Sequence, residues 1–150
     1  VMFLDDNIIE KQKRIASVYF TNYGANEFYG LLHDLYRLDT ATLVDETSKI
    51  VTRGQELGVN VSFLPDLKPK EVQKYYLELE TYTHSKRCIY PWFAVRINPY
   101  GEVHPCFEYP VGNLRDQTLS EIYNGSRMRY FRRVLKKEKL FPACARCCNI

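Results

Sequence analysis

Cys88, Cys106, Cys144, Cys147 and Cys148 are the residues of this 150-residue sequence best placed to do chemistry, and the first 87 positions hold no cysteine at all. Thiolates are soft ligands that hold zinc or iron–sulfur clusters. An odd count with Cys147 and Cys148 adjacent fits poorly with a disulfide scaffold, which normally pairs an even number of cysteines in a short secreted chain. Any one of these residues alone would pass for a small buried apolar side chain. Three within five residues, next to the charged stretch Lys136-Lys137-Glu138-Lys139, would not. Metal is therefore the expected role of the set. A zinc ribbon would present two Cys-x2-Cys knuckles, whereas seventeen residues separate Cys88 from Cys106. That spacing disfavours zinc, although a structural zinc module without catalytic activity remains the alternative.

The elements that must position these thiols follow from the residues around them. Phe93, Val95 and Ile97 alternate with Ala94 and Arg96, Asn98-Pro99-Tyr100-Gly101 has turn chemistry, and Glu102-Val103-His104-Pro105 returns. The expected hairpin brings Cys88 and Cys106 to one end of a ribbon, and the Cys144-x2-Cys147 knuckle supplies two further thiols. Thr118 and Glu121 have the spacing of a capping box opening a short helix that breaks at Gly125, and a second helix from Ser126 buries Met128, Phe131 and Leu135.

Upstream, the texture is α/β. Ile15–Phe20 reads as a buried strand followed by a turn at Thr21-Asn22-Tyr23-Gly24, and Asn26–Leu38 as a helix. Leu43, Ile50 and Leu57 mark the strongest helix, capped by Asp39 or Thr40 and closed by Gly58. Val59–Phe63 reads as the next strand, stopped by Pro65, so a βαβ pattern with parallel strands is expected. Lys68-Pro69-Lys70-Glu71 opens another helix through Leu79.

Several linked elements together resemble a known family. They are Cys88-x12-Gly101-x4-Cys106, the run Gly101-Glu102-Val103-His104-Pro105-Cys106, Val111-Gly112-Asn113-Leu114, Leu119-Ser120-Glu121-Ile122-Tyr123-Asn124 and the terminal Cys144-x2-Cys147. In order and spacing, residues 88 to 148 resemble the SPASM domain of radical S-adenosylmethionine (radical SAM) enzymes. More weakly, residues 1–83 look like the last βα units of the partial (β/α) barrel that precedes such a domain. The fold implied is α/β, with the barrel tail over 1–83 and a small α+β SPASM-like domain over 84–150. The resemblance implies an auxiliary 4Fe-4S cluster on Cys88, Cys106, Cys144 and Cys147, with Cys148 as a substitute for Cys147 or a free thiol. The family's radical-generating Cys-x3-Cys-x2-Cys motif does not occur in this sequence. The chain alone is thus not expected to cleave S-adenosylmethionine, which with a second 4Fe-4S cluster belongs to the expected full-length enzyme. Implied partners are a peptide, protein or small-molecule substrate and an electron donor such as a flavodoxin or ferredoxin.

Lesser features have weaker readings. Asn22, after an expected barrel strand, is a weak candidate to face cofactor or substrate. His104 could donate a hydrogen bond to a cluster sulfur, and His33 and His84 are assigned nothing. Arg127, Arg129, Arg132, Arg133, Lys136, Lys137 and Lys139 are expected to form a solvated helix face, and a net charge of +3 gives little reason to expect nucleic acid. No apolar run approaches the roughly 18 to 20 residues of a membrane helix, and Val1–Asp6 does not read as a secretory signal, so a cytoplasmic setting is the expectation.

Overall fold

The computed structural model describes residues 2–4, 6–20, 29–31, 38–78, 81–83, 85–106 and 109–147. Asn22, His33, His84 and Cys148, which carried expectations above, lie outside these residues.

Strand β1 (Met2–Leu4) leads into helix α1 (Asp6–Tyr19) and then strand β2 (Tyr29–Leu31), which pairs with β1 in parallel, Phe3 opposite Gly30. A βαβ unit is therefore present, but one element earlier than the sequence suggested. The strand expected at Ile15–Phe20 is instead the end of α1. Its apolar run continues a helical period that begins at Ile8: Ile8, Gln12 and Ala16 are all buried at four-residue spacing. Phe20, hydrogen-bonded back to Ala16, extends the same stripe. The helix expected over Asn26–Leu38 contains β2 in its described part, because pairing with β1 outweighs local periodicity.

Helix α2 (Thr40–Glu56) forms as expected. Asp39 caps it, its carboxylate accepting from the Ala41 and Thr42 N–H groups, and Gly58 takes the left-handed conformation just beyond the end (φ 66°). Its heptad stripe is not buried, however: Ile50 and Leu57 remain 49% and 60% exposed. Val59–Phe63 pairs with no strand among the described residues and runs back over α2, where a Cβ on Gly54 would stand 2.5 Å from Val61 Cγ2. The expected strand is an irregular connection, without a strand partner among the described residues. Helix α3 (Pro69–Leu77) starts where Pro69 predicts and is reinforced by the Glu71 carboxylate on the Lys68 N–H.

The C-terminal part is a three-stranded antiparallel sheet under two helices. Strands β3 (Arg96–Ile97), β4 (Glu102–His104) and β5 (Gly112–Asn113) lie in that order, joined first by a turn in which Asn98 Oδ1 accepts from the Tyr100 and Glu102 N–H groups and Gly101 supplies φ 84°. The hairpin is thus confirmed but shorter than expected, since Tyr90–Trp92 form a 3-10 turn and Phe93 closes it. Helix α4 (Leu119–Tyr123) carries the expected capping box of Thr118 and Glu121, and helix α5 (Ser126–Glu138) buries Met128, Phe131, Val134 and Leu135. Val103, Val111, Ile122 and Met128 form the core between sheet and helices. A second core lies between α1 and α5, where Phe20 stacks on Phe131 (5.6 Å between centroids) and meets Phe141 edge-on (6.0 Å).

Candidate metal centre

Cys88, Cys106, Cys144 and Cys147 line a single small cavity. Its remaining wall is Tyr90, Pro91, Arg96, Pro105, Phe131, Leu135 and Phe141. Each cysteine is held outside regular helix and strand by a different device. Cys88 hangs from the end of α5 through its N–H on the Lys139 carbonyl (3.2 Å), Lys139 being in a left-handed conformation. Cys106 follows β4, two residues beyond its last residue. Cys144 closes a 3-10 turn (Pro142–Cys144), and the Cys147 N–H bonds the Cys144 carbonyl at 3.2 Å.

The knuckle that carries Cys144 and Cys147 is clamped from outside the cysteine-bearing segment. Gln12 of α1, 4% exposed, accepts from the Ala143 N–H at 3.0 Å. Ile8 packs on Ala143 and Ala145. On the other side the Arg146 N–H bonds the Tyr82 carbonyl (2.9 Å), the Tyr75 hydroxyl donates to the Arg146 carbonyl (3.3 Å), and the buried Arg146 guanidinium lies 4.8 Å from the Tyr75 ring centroid. Gln12, Tyr75, Tyr82 and Arg146 have no signature in the sequence. Their roles arise from contacts between segments more than sixty positions apart.

Electrostatically the cavity is hostile to unmetallated thiolates. Burial pushes the Cys144 thiol well above the usual thiol range. The thiols of Cys106, Cys147 and Cys88 add to this, and a hydrogen bond from the Phe141 N–H to Sγ (3.3 Å) opposes it. Burial also raises Cys88, against a hydrogen bond from the Tyr90 backbone. Backbone N–H groups directed at sulfur are the donors that tune cluster potentials.

Among the described residues no three His, Cys, Asp or Glu side chains converge as a single metal ion would require. The thiols are spread around a wall instead. The all-sulfur donor set is of the kind that holds zinc or an iron–sulfur cluster. The free space is about 20 Å³, room for one water-sized sphere, so such a guest must displace part of the wall. Cys88 and Cys106 are half-buried on loops, whereas Cys144 and Cys147 are buried.

His104 does not line the cavity. It is 9% exposed, with neither ring nitrogen hydrogen-bonded, its Nε2 is 3.7 Å from Glu102, and burial holds it below the ordinary histidine range against the pull of that carboxylate. The basic run of α5 is exposed, as expected of a solvated face. Arg132 is the exception: it donates to the Pro91 and Tyr123 carbonyls and covers the Tyr123 ring at 4.2 Å. No helix among the described residues is long and apolar enough to cross a membrane.

Four thiols thus line one largely apolar cavity, Cys88 and Cys106 from the flanks of the hairpin and Cys144 and Cys147 from a Cys-x2-Cys knuckle. Comparison with known families agrees, since residues 88–148 match the family model of SPASM, an iron–sulfur cluster-binding domain. The chain carries a SPASM domain over those residues. Searches of curated proteins and of solved structures gave no match.

Proposed function

We propose that Cys88, Cys106, Cys144 and Cys147 are the thiolate ligands of an auxiliary 4Fe-4S cluster. The chain would then be the C-terminal region of a radical SAM enzyme that modifies a peptide, protein or small molecule. The observation that carries the reading is that all four thiols line one cavity within the segment matched to SPASM. The bound cluster would supply one-electron transfer or a site for direct substrate coordination. The residues here hold it, shield it with Phe131, Leu135 and Phe141, and direct the Phe141 N–H at Cys144 sulfur. A parallel β1–α1–β2 unit and the uncovered apolar stripe of α2 support reading residues 1–83 as the tail of a barrel. Radical generation would require S-adenosylmethionine and a second cluster on a Cys-x3-Cys-x2-Cys motif elsewhere in the full-length enzyme.

Anaerobic reconstitution with iron and sulfide tests the cluster. The wild-type chain is expected to turn brown with about four irons per chain, and each Cys→Ala change at 88, 106, 144 or 147 to lower that content sharply. A colourless protein with one tightly held zinc overturns it. A Cys-x3-Cys-x2-Cys motif in the gene ahead of residue 1 tests the radical SAM part.

A further inference from the structure

One arginine shares the wall that carries the four cysteines. Arg96 lines the cavity, and every other described residue lining it is a cysteine, a proline or an apolar or aromatic side chain. Its position is fixed by the sheet: it lies on β3 directly opposite His104 of β4, half-buried, with its Nε atom out of contact with solvent and its Cζ 5.8 Å from the Tyr90 ring centroid. Tyr90 itself follows Cys88 by two residues, so the strand register and the 3-10 turn together put Arg96 in the lining that also carries the thiols.

We propose that Arg96 sets the reduction potential of the group held in this cavity; the proposal rests on the reading that the four cysteines hold a 4Fe-4S cluster. Four thiolates concentrate negative charge on a wall of low polarity. One-electron reduction by an external reductant adds a further negative charge and takes up no proton. Arginine stays protonated throughout. A permanent cation on the same wall therefore favours the added electron, and the poorly screened surroundings make the effect larger than it would be in water. The hydrogen bonds from the Phe141 and Tyr90 backbones act in the same direction but are supplied whatever the side chains are. Arg96 is the part of this electrostatic environment that a side-chain change can remove.

The test is a potentiometric titration, followed by electron paramagnetic resonance with dithionite as reductant, on the reconstituted full chain and its R96Q and R96K variants, each with iron per chain measured. At the wild-type midpoint, R96Q is expected to show a reduced-to-oxidised ratio about tenfold lower, a shift of about 59 mV to more negative potential. R96K, which keeps the charge, is expected to stay within about twofold of wild type. The proposal is overturned if R96Q, with its iron intact, titrates with the wild type, or if R96K shifts as far as R96Q. Should R96Q lose its iron while R96K retains it, the charge is needed even to hold the anionic group, which supports the proposal. Loss from both variants overturns it in favour of simple packing. A wild-type chain that takes up no iron and sulfide fails earlier, and removes the cysteine reading along with this one.

Discussion

Replacing Gln12 by Met tests whether α1 supports the cysteine knuckle. Methionine keeps the length and most of the volume of glutamine but removes the amide oxygen that accepts from the Ala143 N–H at 3.0 Å. Both residues are buried, Gln12 at 4% and Ala143 at 9% exposure, so water cannot readily replace the lost acceptor. An N–H left unpaired in such a place costs about 1–3 kcal/mol. Taking about 2 kcal/mol and a urea dependence of about 2 kcal/mol per molar, the unfolding midpoint falls by about 1 M. Because Ala143 immediately precedes Cys144, the same loss loosens the turn that presents that thiol. If all of it is expressed locally, iron is released to a chelator up to about 30-fold faster, at tenfold per 1.4 kcal/mol. Urea unfolding, hydrogen exchange at the Ala143 amide and chelator kinetics would be read together. An unchanged midpoint with unchanged exchange at Ala143 would refute the argument that this bond anchors the knuckle.

Two further changes probe the frame of the C-terminal part. Hydrogen bonds from the Thr118 side chain and backbone hold the Glu121 carboxyl below its ordinary pKa of 4.5, so its contribution to stability is present above that pH and lost as pH falls through the lower folded value. The stability gap between wild type and E121Q, followed by thermal melting across pH 7 to 2, should therefore close on the acid side, and a gap independent of pH would contradict the cap. The partner change T118A should cost about 1 kcal/mol at neutral pH. At Gly112 in β5 an added Cβ would lie 2.8 Å from Cγ1 of Ile122, itself 2% exposed, so G112A should destabilise by about 1–3 kcal/mol. The smaller I122V should recover part of this in the double variant, and strict additivity of the two changes would count against the contact.

What could be read from the sequence divides by the range of the interaction. The Asp39 cap, the Gly58 exit, the Thr118 and Glu121 box and the Gly101 turn are each decided within four or five residues, and each stands in the structure. Ile15–Phe20 misleads because four β-branched and aromatic residues in six satisfy a strand template, while the helical register that governs them is set by Ile8 and Gln12 upstream. Val59–Phe63 has the alternation of a strand, but a strand also needs a neighbour, and no pattern internal to the segment supplies one. The cysteines stood out by type and spacing. Arg96 did not, because its place in the cavity lining depends on the pairing of β3 with β4, which no local pattern announces.

The packing around the knuckle bears on how such a cluster domain should be divided from what precedes it. The spacing motif begins at Cys88, yet Ala16 of α1 and Phe20 just beyond it share a core with Phe131, Leu135, Phe141 and Cys144, and Tyr75 and Tyr82 hold Arg146 between the two knuckle cysteines. Tyr19 joins the same seam, donating to Glu138 at 2.5 Å and accepting from Lys137 at 3.0 Å. Residues 88–148 thus contain all four thiols and the lining of their cavity, while contacts that clamp the Cys144–Cys147 knuckle from outside come from α1, α3 and Tyr82. The elements before residue 84 therefore belong to the scaffold that fixes the knuckle, although the spacing motif does not include them.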